Sequence, residues 1–552
     1  MFKSAVPAKA VKQGGSINVA LESGSPITGI FLNELATNKT DSEAIQFGNE
    51  PLFKFNNNYQ YVKGGAADIT FSRKNKTATI TINPKLRWSD GKPVTAKDYE
   101  YAYEIVANKA SQSVRYNSKL TNLKGLAEYH DGKAKTISGI EMPDGENGKK
   151  VILHFKQMLP AMNQIGSGYI WGSAAPYHYL KNVPFSKLIS SDKVRKHPLF
   201  FGAYKVDKVD KVVTGESITW SPNKYYYLGK PKLDKITVNV ISPNTATQAI
   251  KDKKFDVINV INSQWENVKN TKGMNFIAKI PLSYTYLGFK VGKWDAKTGK
   301  NVMNPKAKMN NRALRQAIAY GMNQDQVYKK YSHGLTFRVP TLIPAQFGNY
   351  FDKNIKGYTY NLKKGNELLD KAGYKKKGTY RVQPNGKPLI ITLAATTGQE
   401  TIIQNYIKQW KKLGLNVKLY TGRLMESNAF TSAVQSDNSK IDMFMNGWSL
   451  SYDPSPAVLY SESSPLNWTR FVTKENNKLL QEIDSQKAFN NNYRVKKLHE
   501  WQAYMNKEAY VVPMYNSYTI TAVNSKLTGY SLEPSKDMGL GYPNWYYVGY
   551  AK

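Results

Sequence analysis

Residues 77–109 restrict the fold more than any other stretch of this chain. Thr77-Ala78-Thr79-Ile80-Thr81-Ile82 alternates without a fault, and a strand's period of two puts Ala78, Ile80 and Ile82 on one face and the threonines on the other. Asn83-Pro84 stops the strand, since proline has no amide to give to a ladder. Asp90-Gly91 is a turn dipeptide. Thr95 and Asp98 then have the spacing of a capping box, with Tyr99, Ala102, Tyr103 and Val106 recurring at helical intervals behind them. A strand, a turn and a capped helix in one compact unit require a mixed α/β fold.

The rest of the chain continues the mixture. Residues 201–228 read as strands and loops, Asp256 to Val260 as a short buried strand, and 284–291 as another. One helix is expected over 310–331, with Leu314, Ala317, Ile318 and Gly321 as its inner stripe. A second covers 400–413, with Ile403, Tyr406, Ile407, Trp410 and Leu413 inside and Gly414 as its stop. Residues 415–419 alternate as a strand, a helical stretch covers 474–508, and strands resume at Val511. No repeat divides the chain. A helix-rich part between strand-rich parts implies two lobes whose chain crosses more than once.

Composition removes several classes of function. The 552 residues are 41% hydrophobic and include no cysteine, so sizeable cores form while disulfides, thiolate catalysis and thiolate metal sites are excluded. No run of apolar residues is long enough to cross a membrane. The first residues, MFKSAVPAKAVKQGGS, lack the apolar core of a signal peptide; 1–14 read as a flexible tether, of either an intracellular protein or a chain whose leader is gone. The net charge is +37, but the lysines are spread along the chain and Lys375–Lys377 is the densest short run. A nucleic-acid binder concentrates such charge on one face, so no nucleic-acid partner is expected. The same charge gives loose attraction to an anionic cell wall or acidic lipid surface, or simply maintains solubility.

The motifs of serine hydrolases, P-loop enzymes and zinc proteases are missing, and the histidines at 130, 154, 178, 197, 333 and 499 do not cluster. No catalytic residue, metal ligand or cofactor is assigned, and the chain does not read as an enzyme. Gly166-Ser167-Gly168 and Gly539-Leu540-Gly541 are loop glycines with no phosphate-binding continuation. What stands out is the aromatic content, 38 Tyr, 20 Phe and 10 Trp. Tyrosine joins a flat apolar body to a hydroxyl, which suits a site for varied ligands. Tyr542-Pro543-Asn544-Trp545-Tyr546-Tyr547 is a candidate pocket wall. The stretch 446–460, NGWSLSYDPSPAVLY, holds a lone acid and no basic residue in an otherwise basic chain. Asp453 there either receives a cation or organises the turn before Pro454.

At Trp88-Ser89-Asp90-Gly91-Lys92-Pro93-Val94-Thr95-Ala96-Lys97-Asp98 the chain resembles the extracytoplasmic solute-binding proteins of peptide ABC transporters, the oligopeptide- and dipeptide-binding family 5. Further blocks follow in that family's order: Phe201-Gly202-Ala203-Tyr204-Lys205-Val206, then Trp220-Ser221-Pro222-Asn223-Lys224-Tyr225-Tyr226, then Asn311-Arg312-Ala313-Leu314-Arg315-Gln316-Ala317-Ile318-Ala319-Tyr320. Similarity runs from about Gly15 to Tyr530. The resemblance implies an α/β, two-lobed, periplasmic-binding-protein-like (Venus-flytrap) fold that closes hinge-wise on its ligand. Lobe one would be 15–280, with an accessory subdomain at about 48–195, lobe two 281–512, and 513–552 a return to lobe one.

The implied function is capture of oligopeptides by a monomer outside the membrane and delivery to the permease and ATPase subunits of an importer. The implied location is the cell surface of a Gram-positive bacterium, with a lipid anchor. The same fold could instead bind a non-peptide small molecule, or the charge could make a cationic adhesin. In better-known members a carboxylate three residues after a Gly-Trp tryptophan holds the peptide amine; counted from Gly447-Trp448 that position is Ser451, and Asp453 lies two further on. Asp453, Trp448, Tyr452, Gly447 and Ser451 are therefore the candidate ligand contacts in lobe two, and Glu22, Ser23, Gly24 and Ser25 those in lobe one.

Overall fold

The alternation at Thr77–Ile82 forms a strand, paired on one side with Ala67–Ser72 and on the other with Lys150–His154. Ala78, Ile80 and Ile82 are all fully buried, as the period of two requires. The helix behind it runs Ala96–Ala107 and carries the expected capping box, the Thr95 side chain accepting from the Asp98 amide and the Asp98 side chain from the Thr95 amide. Asp98 also accepts a hydrogen bond from the Trp88 indole at 2.8 Å, so the turn, the helix start and the preceding segment are tied at one carboxylate. The computed structural model describes every residue except 1, 25–26, 38, 211–215 and 537–541.

The chain divides into two units, Met1–Lys279 with Thr519–Lys552, and Ile280–Tyr518. The sequence expects divisions after 280 and after 512; the units divide after 279 and after 518. The first unit is built on a seven-stranded mixed sheet in the order Met274–Lys279, Thr519–Asn524, Val257–Asn259, Ser16–Glu22, Lys235–Ile241, Ser217–Pro222, Tyr204–Asp210. Ile17, Tyr204, Trp220, Ile236 and Trp545 pack at its core. A separate four-stranded antiparallel sheet, which includes Thr77–Ile82, falls within the span expected for the accessory subdomain.

The second unit has a six-stranded mixed sheet in the order Thr336–Arg338, Val511–Ser517, Ser283–Phe289, Met443–Ser449, Ile390–Ala394, Asn416–Leu419. The helix Glu400–Lys412 packs Ile403, Tyr406 and Trp410 inward. A Cβ on Gly321 would lie 2.7 Å from a Leu413 methyl and 3.0 Å from the Trp410 ring, so a larger residue there would push on these side chains.

Three expectations need correction. The helix foreseen over 310–331 is two, Arg312–Tyr320 and Gln324–Tyr331, because Gly321 ends the first and the Asn323 side chain caps the second by accepting from the Gln326 amide. The stretch 474–508 is likewise broken into Lys474–Ile483 and Asn491–Glu508, with Asn490 capping the latter. Residues 1–14 read as a flexible tether, yet much of this arm is bound to its own unit. The Val6 amide donates to Tyr530 O at 3.0 Å, Lys12 to Tyr550 O at 2.9 Å and Gly14 to Lys232 O at 2.8 Å. Val6 is buried in the core beside the C-terminal strands. Backbone pairing and one buried valine hold what composition alone read as loose.

Candidate functional site

In the second unit the strand Met443–Ser449 pairs along its length with Ser283–Phe289, placing Trp448 opposite Tyr284 and Gly447 opposite Thr285. On its other side the parallel strand Ile390–Ala394 reaches it only at Met443 and Phe444. Beyond Ala394 the chain turns away to bond Met425, whose amide donates to Ala395 O and whose carbonyl accepts from the Thr397 amide, both at 2.9 Å. From Met445 onward that edge therefore has no strand partner among the described residues. The Leu450 amide donates to Leu282 O at 2.8 Å, on the paired side. Alternation along a strand then directs the amides and carbonyls of Gly447 and Ser449 to the vacant side. Both residues are exposed.

Beneath this edge lies an aromatic floor. Trp448 stacks on Tyr286 at 6.3 Å between ring centroids and meets Trp468 edge-on at 5.0 Å. The hydroxyls of Tyr284 and Tyr460 bond each other at 2.6 Å. Trp448 is half-buried. Tyr452 is half-buried and Ser451 exposed, its Oγ accepting from the Asp453 amide at 3.4 Å.

Asp453 is not an open carboxylate. Its Oδ1 accepts from Arg494 Nη2 at 2.9 Å and from the Ser455 amide at 3.1 Å. The same Nη2 donates to Asp484 at 3.1 Å, and Ser455 Oγ donates to the other Asp484 oxygen at 2.6 Å. The side chains of Asp453 and Arg494 are only 9% and 3% exposed. Burial, and then the charge of Asp453, raises the Asp484 carboxyl above its usual range, while the two carboxylates outweigh burial and hold Arg494 even more firmly charged. The expectation that a stretch without basic residues waits for a cation is thus corrected at its premise: the helix Asn491–Glu508 already supplies one. Nothing in 446–460 announces it, because Arg494 is distant in sequence.

In the first unit the strand Ser16–Glu22 pairs along its length with Lys235–Ile241 but meets Val257–Asn259 only at Val19. Its last residues thus also carry an edge without a strand partner among the described residues. The Ser23 amide donates to Ile241 O at 2.9 Å, extending the paired side. Burial raises the Glu22 carboxyl to about 8, against hydrogen bonds from the Asn259 backbone and side chain. Its Oε1 is buried without a hydrogen-bond partner. A side chain at Gly24 would meet open space. Ser25 lies outside the described residues, as does the glycine run 539–541.

Sequence reasoning missed Ser449, because 443–449 (Met-Phe-Met-Asn-Gly-Trp-Ser) does not alternate and gives no strand signal of its own. It also missed two acids of the first unit, the buried Glu34 and the half-buried Glu50, both raised to about 7 by desolvation. The run 542–547 is divided in role: Trp545 is core, packed on Phe47 at 4.6 Å between centroids, while Asn544 and Tyr547 line a cavity of about 550 Å³ inside the first unit. Among the described residues no cluster of acids and histidines could hold a metal, and no helix is long and apolar enough to cross a membrane.

Comparison with known proteins gives this geometry its context. The model of the bacterial extracellular solute-binding proteins, family 5 (middle region), matches residues 60–470. The oligopeptide-binding protein OppA of Lactococcus lactis subsp. cremoris is 41% identical over 521 residues, 93% of this chain and 86% of that protein. The solved structure of lactococcal OppA, complexed with an endogenous peptide in the closed conformation, matches with a TM-score of 0.75 at 40% identity, covering 97% of this chain and all of that one. The oligopeptide-binding protein AppA of Bacillus subtilis, solved with a nonapeptide, shares the fold at a TM-score of 0.65 and 20% identity, over 98% of this chain and all of that one. Two sheet-based units, crossed twice by the chain and matched over most of its length, place the protein among the bacterial extracellular solute-binding proteins of family 5.

Proposed function

We propose that this protein captures extended oligopeptides outside the cell and delivers them to the permease and ATPase subunits of an ABC importer, binding and releasing its cargo without chemistry. The observation that carries this reading is the vacant strand edge at Gly447 and Ser449. An extended peptide presents backbone donors and acceptors at strand spacing, so pairing with such an edge gives affinity that does not depend on side-chain identity. The end of Ser16–Glu22, continuing through Ser23 and Gly24, offers a second edge of the same kind in the first unit. Trp448 and Tyr452 serve as walls, and Ser451 and Glu22 as polar contacts. The relatives' names, oligopeptide-binding proteins, support the substrate class.

The importer partners, a monomeric state and lipid anchorage to a Gram-positive membrane belong to the same proposal, the last supported by relatives from Lactococcus and Bacillus. Asp453 enters it as the residue that fixes the 451–456 turn through Arg494, leaving the peptide amine free.

Mass spectrometry of ligands released on denaturing the purified protein should show a mixture of peptides; a single non-peptide molecule would overturn the substrate class. Calorimetry with matched free and N-acetylated peptides should give affinities within about threefold. A loss approaching the 2–5 kcal/mol typical of a broken buried charge pair would return the amine to Asp453.

A further inference from the structure

One end of the second unit carries a cluster of exposed lysines without ion-pair partners among the described residues. Arg381, 2% exposed, pins three elements to one point. Its Nη1 donates to Asp370 at 2.6 Å and to Tyr374 O at 2.5 Å, its Nη2 to Asn366 at 2.8 Å, and its Nε to Leu413 O at 2.7 Å. The helix Leu362–Lys371, the hairpin of Lys376–Lys377 with Tyr380–Arg381, and the C-terminal end of Glu400–Lys412 therefore share that end. Lys371, Lys375, Lys376, Lys377, Lys411 and Lys412 stand on it, all exposed. None has a carboxylate within ion-pair distance among the described residues. The Asp370 carboxylate is committed to Arg381, which leaves Glu367 as the nearby acid on that helix.

Some lysines elsewhere are matched, as Lys97 is with Glu100 and Glu104, and Lys497 with Glu482 and Glu500, while others such as Lys74, Lys92 and Lys156 stand exposed and scattered; what sets this end apart is that six exposed lysines share it. Lys371, Lys411 and Lys412 in the last turns of their helices offset the helix dipoles. The hairpin lysines have no such role, and crowding like charges there costs stability through repulsion.

We propose that this lysine-bearing end of the second unit is a docking surface for a flexible polyanion with a phosphate or phosphodiester repeat. Ammonium groups bind phosphate as point charges and tolerate a mobile chain. A flat bilayer is the weaker fit: surfaces that lie in a membrane interface bury a set of apolar side chains, and among the described residues between 332 and 457 Ile390 is the single large hydrophobic exposed. This inference is independent of the peptide reading and is tested without peptide.

Linear inorganic polyphosphate, titrated by calorimetry into the full chain, is the probe. The triple variant Lys375→Gln, Lys376→Gln, Lys377→Gln should lose at least about tenfold in affinity at about 50 mM salt, and its slope of log affinity against log salt should flatten by about 2, three lost contacts at roughly 0.7 each. The corresponding Lys→Arg triple, which keeps the charge, should bind like the wild type. A control triple of scattered exposed lysines, Lys74→Gln, Lys92→Gln, Lys156→Gln, should lose less than about twofold. Equal losses in the two Gln triples would reduce the effect to diffuse net charge and overturn the site. Tighter wild-type binding to phosphatidylglycerol vesicles than to polyphosphate would overturn the polymer as its partner.

Discussion

Single residues in this protein take their chemistry from neighbours remote in sequence. Asp453 looks like an isolated acid in its own stretch, and the fold gives it Arg494. Glu34 shows the same dependence in the first unit. It is fully buried, its Oε1 accepts the Trp171 indole hydrogen at 2.9 Å, and its Oε2 has no hydrogen-bond partner. Burial raises its carboxyl from 4.5 to about 7. Between those values the folded state keeps a proton that the unfolded chain has released, so stability falls as pH rises through that window and levels off above it. Glu34→Gln removes this titration without changing shape. The wild type should therefore lose, relative to the variant, about 3 kcal/mol in going from pH 4.5 to pH 8, one pKa unit being about 1.4 kcal/mol. Denaturant melts of both proteins across that range check it, and parallel pH profiles would show that Glu34 does not ionise in this way.

At the scale of elements, the sequence was most legible where periodicity and capping agree. The strand Thr77–Ile82 and the capped helix Ala96–Ala107 appear where alternation and the Thr95–Asp98 spacing put them. The helices over 310–331 and 474–508 were read as continuous because their apolar stripes continue across breaks that glycine and asparagine caps impose. The vacant edge of Met443–Ser449 was not legible at all, since it depends on where a neighbouring strand ends. That edge can be tested with little harm to the fold. A Cβ at Gly447 would lie 3.6 Å from Tyr284 O and 3.8 Å from Thr285 Oγ1, ordinary contact distances, and valine suits a strand. Gly447→Val should keep the wild-type melting temperature while weakening peptide binding by at least about tenfold, or 1.4 kcal/mol. Unchanged peptide affinity would remove this edge from the site.

For the whole molecule, the charge of +37 and the proposed peptide site are separate properties. Backbone pairing and aromatic walls are weakly screened, whereas a diffuse cationic surface responds to every change in ionic strength. Peptide affinity should change by less than about threefold between about 50 and 500 mM salt, as measured by calorimetry, while polyphosphate binding collapses over the same range. A parallel collapse of both would mean that peptide binding is itself driven by surface charge. The sequence by itself determined the α/β class, the inserted helix-rich lobe and the family, because these rest on periodicity and on ordered blocks such as 88–98 and 311–320. Only the tertiary structure decided that the N-terminal arm packs, that Gly447 and Ser449 lack a strand partner among the described residues, and that the cation missing from 446–460 is Arg494. Each of these is a pairing between segments far apart along the chain, and local composition carries no record of which distant partner arrives.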